Sequence, residues 1–154
     1  MRALEVRRHA RRDPNADQLS PEGRVQAEDV GRTLVGGYAV VFVSPAQRAA
    51  ETVACFLRGL GARLPPHGVI PGLAGEGTDR SPLAMAGVLA ALLDAVPEGG
   101  RGLAVSHTPL IERAVLGMLA EEIEPLAECE GVLLTKEGDE GPVRVEQLRL
   151  RPSP

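Results

Sequence analysis

Four times within the first 150 residues a hydroxyl-bearing residue stands directly before a proline: Ser20-Pro21, Ser44-Pro45, Ser81-Pro82 and Thr108-Pro109. A Ser or Thr oxygen can accept a first-turn N–H, and a proline at the first helical position lacks the N–H that would go unpaired. Each pair is therefore read as a helix start. An apolar pattern at helical spacing follows each one: Val25, Ala27, Val30 and Leu34 before Gly36-Gly37; a stretch to about Leu60, ended by Gly59 and Gly61; Leu83, Val88, Leu89, Leu92 and Leu93 before Pro97; and Leu110, Ile111, Val115 and Leu119. Strand character lies between. Residues 3–8 alternate, while 39–43 is an unbroken apolar run of the kind covered on both faces, and 102–106, GLAVS, reads as another buried strand. Two more strands are expected around 131–135 and 143–150, joined by the turn-rich EGDEG segment. Strands alternating with helices imply an α/β fold, a three-layer α/β/α arrangement with a largely parallel central sheet.

No repeat, linker or low-complexity stretch divides the 154 residues, so a single domain, 1–154, is expected. With two Phe, one Tyr and no Trp, its core must come from Leu, Val, Ala and Ile, and stacking surfaces for nucleic-acid bases are scarce. The net charge of -4 removes the electrostatic case for nonspecific nucleic-acid binding, so any anion site must be local. Cys55 and Cys129 have neither disulfide-scaffold numbers nor zinc-site spacing and are read as reduced thiols. Without a signal-like segment or an apolar run of about 18 residues, a cytoplasmic protein with no membrane partner is expected.

Three groups fall at the same structural place, the carboxyl end of an expected strand just before a helix: Arg8-His9, Ser44 to Arg48, and Ser106-His107. That edge of an open α/β sheet is where ligands bind, and helix N-termini there favour anions. Arginine offers a planar donor fork for phosphate oxygens; two imidazoles add a nucleophile and a further donor. Ser44 and Ser106 read as cap and strand terminator, since neither has a nucleophile elbow. His67, in a Pro/Gly loop, reads as solvent-exposed, and Glu121, Glu122 and Glu124 as an acidic helix end.

Four ordered elements, RRHA at 7–10, LSPEGRVQA at 19–27, SPAQRAAET at 44–52 and VSHTP at 105–109, together resemble the histidine phosphatase (phosphoglycerate mutase-like) superfamily. In length, in Ala10 after the histidine and in the Ser-His-x-Pro form, the chain is similar to the short bacterial branch that includes the SixA-type phosphohistidine phosphatases. The resemblance implies the histidine phosphatase fold and a metal-independent phosphatase without a cofactor. His9 would become phosphohistidine, with Arg8, Arg48 and His107 clamping the phosphate. Asn15, six residues after His9, matches a phosphate-contacting Asn of many members. The general acid of the phosphomonoesterases in the family has two candidates, Glu76 and Asp79, neither in a complete motif.

Two departures stand out. Glu5 and Arg7 put two charges on one face of the first strand, either partly exposed or mutually neutralised. Ala10 replaces a glycine, which matters if the backbone there has positive φ. The expected substrate is a phosphorylated small molecule or a phosphohistidine-bearing protein. The alternatives are a phosphoglycerate mutase-type phosphotransferase and a catalytically weak phosphoryl-binding module.

Overall fold

The computed structural model describes residues 1–150, so the last four residues of the expected domain lie outside it. Its elements run β1 (Arg2–Arg8), α1 (Pro21–Gly31), β2 (Val40–Val43), α2 (Gln47–Leu60), β3 (His67–Val69), α3 (Pro82–Ala95), β4 (Arg101–Ser106), α4 (Leu110–Leu119), β5 (Gly131–Lys136) and β6 (Arg144–Leu148), with a 3-10 turn at Pro71–Ala74.

All six strands form one sheet in the order β3-β2-β4-β1-β5-β6. β1 to β4 pair parallel with one another, but β5 lies antiparallel to β1 and β6 antiparallel to β5. The sheet is thus mixed, and the largely parallel arrangement expected holds only for β1 to β4. The short turn through Gly138 can join β5 and β6 only as a hairpin, and hairpin partners are antiparallel. β3 corrects the placing of His67 in a loop: it opens a three-residue edge strand too short to show a period, and it is exposed as expected.

Side-chain alternation sorts the core into two layers. Leu4, Val6, Phe42 and Ala104 pack against Met85, Leu89 and Leu93 of α3 and Ile111 and Val115 of α4. Val41, Val43, Leu103 and Val105 face the other way, onto Ala27 and Val30 of α1 and Ala49, Val53 and Phe56 of α2. Burial of a side chain such as Phe56, with no exposed area, contributes roughly 1.5–3 kcal/mol. Not every expected face residue points inward: Val25 is 61% and Leu83 78% exposed, and Leu34 lies buried beyond the end of α1.

Helices α1 and α3 start as the Ser-Pro pairs require, with Ser20 Oγ accepting from Gly23 N–H and Ser81 Oγ from Ala84 N–H. The other two pairs behave differently. α2 begins only at Gln47, behind Ala46, so Ser44 is not its cap. α4 begins behind Pro109, and the Thr108 hydroxyl bonds to Glu112 Oε2 instead of capping.

Glu5 and Arg7 are both buried, and the pair neutralises itself. Arg7 Nε donates to Glu5 Oε2 at 2.5 Å, while Tyr38 Oη and Arg101 Nη2 donate to Oε1 at 2.9 and 2.8 Å. Burial alone would raise the Glu5 carboxyl; Arg7, Arg101 and Tyr38 outweigh it and hold it below its ordinary value. Ala10 is not among the residues with positive φ, so it fits where glycine was expected. No helix among the described residues is long and apolar enough to cross a membrane.

Candidate active site

Sheet register brings the two histidines together. In β1 and β4, Arg8 lies beside Ser106, and the next residues are His9 and His107, with His9 N–H donating to Ser106 O at 3.1 Å. β2 flanks β4 on its other side, so Ser44, one residue past the Val43–Val105 pair, reaches the same edge. The imidazoles are almost wholly buried and meet edge to face, ring centroids 5.3 Å apart.

Arg48, in the first turn of α2, bridges both rings: Nε reaches His9 Nε2 at 3.3 Å and Nη2 reaches His107 Nδ1 at 3.3 Å. A guanidinium only donates, so these two ring nitrogens are acceptors. The remaining nitrogens fix the tautomers. His9 Nδ1–H donates to Ala10 O at 2.7 Å, and His107 Nε2–H donates to Ser44 Oγ at 2.6 Å. His9 Nε2 is therefore the unprotonated ring nitrogen, its lone pair accepting from Arg48 Nε at the cavity.

Burial lowers His9 to a pKa of about 4, with the cations Arg48, Arg8 and Arg12 acting in the same direction against the Ala10 hydrogen bond. His107 is likewise pushed down to about 4, first by burial, then by Arg48 and His9. Both rings are neutral at pH 7. In an NMR titration their imidazole signals should shift with midpoints near 4; midpoints near 6.5 would contradict this environment. Between these values the unfolded chain binds protons that the folded one does not, so the two histidines make stability fall as pH drops from about 6.5 toward 4 and contribute no slope above.

Arg8, His9, Arg11, Arg12, Arg48, His107, Thr108 and Glu128 line a cavity of about 360 Å³. Arg8 is anchored at its rim, Nη1 donating to Leu126 O at 2.7 Å and lying 3.7 Å from Glu128 Oε2. A second cavity of about 630 Å³ shares Arg48, His107 and Thr108 and includes Glu76. Asp79 lines neither cavity; its Oδ1 accepts from Ser81 N–H ahead of α3. Asn15 also lines neither cavity, because the loop turns there on a bond from Asn15 N–H to Asp13 Oδ1, leaving it exposed. Of the expected set, the structure thus brings together Arg8, His9, Arg48 and His107, puts Glu76 next door and leaves Asn15 outside.

Three residues take roles here that the sequence did not assign to them. Ser44 orients His107. Asp17 receives Gln47 N–H at 2.9 Å, Arg48 N–H at 3.2 Å and Arg48 Nη1 at 2.8 Å, so it caps α2 in place of the missing local cap and steers the Arg48 side chain. Partial burial would raise Asp17, but these bonds hold it at about 2. Thr52 ties the histidine loop to α2, its Oγ1 accepting from Ala10 N–H and donating to Arg48 O. The one usable signal was that Ser44 lies too far before the apolar pattern to cap it. Among the described residues no three His, Cys, Asp or Glu side chains cluster to hold a metal.

Paired imidazoles and a guanidinium at the carboxyl edge of a doubly covered sheet offer donors to an oxyanion and an unprotonated ring nitrogen to an electrophile. Residues 4–74 match the family model described as the histidine phosphatase superfamily (branch 1). The fold is similar to that of phosphoserine phosphatase from Entamoeba histolytica in complex with 3-phosphoglyceric acid, with TM-score 0.77, 18% identity and 98% of each chain covered. It is also similar to the protein histidine phosphatase SixA complexed with tungstate, at TM-score 0.66, 24% identity and 96% coverage of each chain. A mycobacterial glucosyl-3-phosphoglycerate phosphatase matches at TM-score 0.74 and 17% identity, covering 97% of this chain and 99% of its own. No curated protein matches it in sequence. Over residues 4–74 the chain thus resembles the histidine phosphatase superfamily, and its fold is shared with these phosphatases.

Proposed function

We propose that the protein is a metal-independent phosphatase that hydrolyses a phosphomonoester or a protein phosphohistidine through a phosphohistidine on His9. The observation that carries this reading is the His9 tautomer. Nδ1–H is held by a carbonyl, so the neutral Nε2 lone pair is left beside Arg48 in the cavity. Nε2 attacks phosphorus while the bond to the leaving group breaks, P–O in a phosphomonoester or P–N in a phosphohistidine, and the bond from Nδ1–H to Ala10 O takes up the ring's growing positive charge. Arg8, Arg48 and His107 spread the charge on the three equatorial oxygens. The buried Arg8 Nε, without a hydrogen-bond partner among the described residues, is a donor that a bound oxyanion would satisfy.

Glu76 is the proposed acid, protonating the leaving oxygen and then accepting a proton from the water that attacks phosphorus. The N–P bond breaks in that second step, its electrons return to Nε2, and inorganic phosphate departs. A good leaving group needs little of this help, whereas an alkoxide needs all of it, typically ~10²–10⁴-fold. With EDTA present throughout, wild type should turn over aryl and alkyl phosphates, and Glu76→Gln should slow the alkyl substrate by about that factor while sparing the aryl one. Equal effects on both would remove Glu76 from the role. Loss of all turnover in EDTA would remove metal independence. Binding of phosphate without turnover would favour a phosphoryl-binding module.

A further inference from the structure

The cavity beside the phosphate site holds two arginines that the chemistry at phosphorus does not use. Arg80 and Arg113 line it together with Arg48, His107 and Glu76. Arg8, Arg11 and Arg48 have carboxylate partners in Glu128 and Asp17. Among the described residues Arg80 and Arg113 have none, and the one polar contact of the Arg80 side chain is Nε to Gly75 O at 3.5 Å.

Their placement is built into the backbone. Arg80 sits at φ +60, a conformation non-glycine residues avoid, with its N–H on Thr78 Oγ1 at 2.9 Å. Its side chain runs across Gly75, where a Cβ would stand 2.6 Å from Arg80 Nε; Gly75, itself at φ +74, leaves that path open. Arg113 lies in the first turn of α4, its N–H on Pro109 O at 2.9 Å, so the helix that follows His107 carries it to the same cavity. Both side chains are exposed, and neither supports the core.

Charge points the same way. Across the two cavities six arginines face three carboxylates, in a chain whose net charge is -4. One of those carboxylates, Asp17, is already committed to Arg48 and the start of α2. A phosphomonoester brings two negative charges at most, and these fall at His9 and Arg48. The positive charge at Arg80 and Arg113 is left for whatever departs from phosphorus.

We propose that this second cavity receives the leaving group and that Arg80 and Arg113 recognise an anionic group on it, a carboxylate or a second phosphate. The inference rests on the phosphatase reading and narrows its substrate class to organic phosphates with a further negative charge. Three matched substrates test it: propyl phosphate, 3-phosphooxypropanoate and 1,3-propanediol bisphosphate, with an aryl phosphate as the measure of the chemistry itself. Wild type should show kcat/KM about 10- to 100-fold higher for at least one charged substrate than for propyl phosphate, and the favoured one identifies the anion. In Arg80→Gln/Arg113→Gln that ratio should fall toward 1, chiefly through KM. Arg113→Lys, which keeps the charge, should retain part of it. Equal kcat/KM on all three substrates in an enzyme that hydrolyses the aryl phosphate would overturn the subsite alone. Failure to hydrolyse any of the four would take down the phosphatase reading and the subsite with it.

Discussion

Replacing His9 by alanine is expected to lower turnover of an aryl phosphate by at least ~10⁴-fold, because no neighbouring group can take its place as nucleophile. Ser44 Oγ is occupied by His107, and Ser106 Oγ donates to Leu73 O at 2.6 Å. Cys129 is buried, and burial pushes its thiol up to about 12, far from the reactive thiolate. Cys55 is also buried and its thiol raised. In wild type, rapid quenching with labelled substrate should trap an adduct on His9 that is lost in acid and survives alkali. His9→Ala should still bind phosphate or vanadate through Arg8, Arg48 and His107, which separates loss of the nucleophile from loss of the site. Near-normal turnover by the alanine variant would end the phosphohistidine mechanism.

The sequence made this site legible because strand ends are readable and register follows from them. Apolar runs stop at Arg8-His9, Val43-Ser44 and Ser106-His107, and once the three strands lie side by side, those residues meet on one edge. Direction was less legible. A strand-like run such as that of 131–135 reads the same up or down the sheet, so the antiparallel β5 and β6 were not apparent from it. The contributions of Asp17 and Ser44 were hidden for a different reason. Asp17 lies in a turn-rich loop thirty residues before the helix it caps, and only the folded chain puts its carboxylate on Gln47 and Arg48. Ser44 carried a cap signal that was real at Ser20 and Ser81; two residues of separation from Ala46 turned the same side chain toward His107. Asn15 fails in the opposite sense, since correct spacing from His9 does not determine where an exposed loop turns.

Arg48→Ala is expected to cost ~10²–10³-fold in kcat/KM, the scale for removing a preorganised donor from developing charge. Arg48→Lys should recover little, because a single ammonium cannot span both imidazoles as the Nε and Nη2 donors do. Asp17 supplies the sharper test, since it hydrogen-bonds to neither histidine and its bonds go to Arg48 and the start of α2. Asp17→Asn keeps a carbonyl to cap the helix, so stability should change by well under the ~1 kcal/mol of a lost cap. It removes the negative charge opposite the guanidinium, and kcat/KM should fall about tenfold, 1.4 kcal/mol in transition-state terms. If Asp17 works by aiming Arg48, the substitution has nothing left to remove once Arg48 is alanine. The double variant should then match Arg48→Ala rather than fall a further tenfold, a coupling energy close to the whole single-variant cost of Asp17→Asn. Independent, additive losses in that cycle would mean that Asp17 influences the site by some route other than the guanidinium it holds.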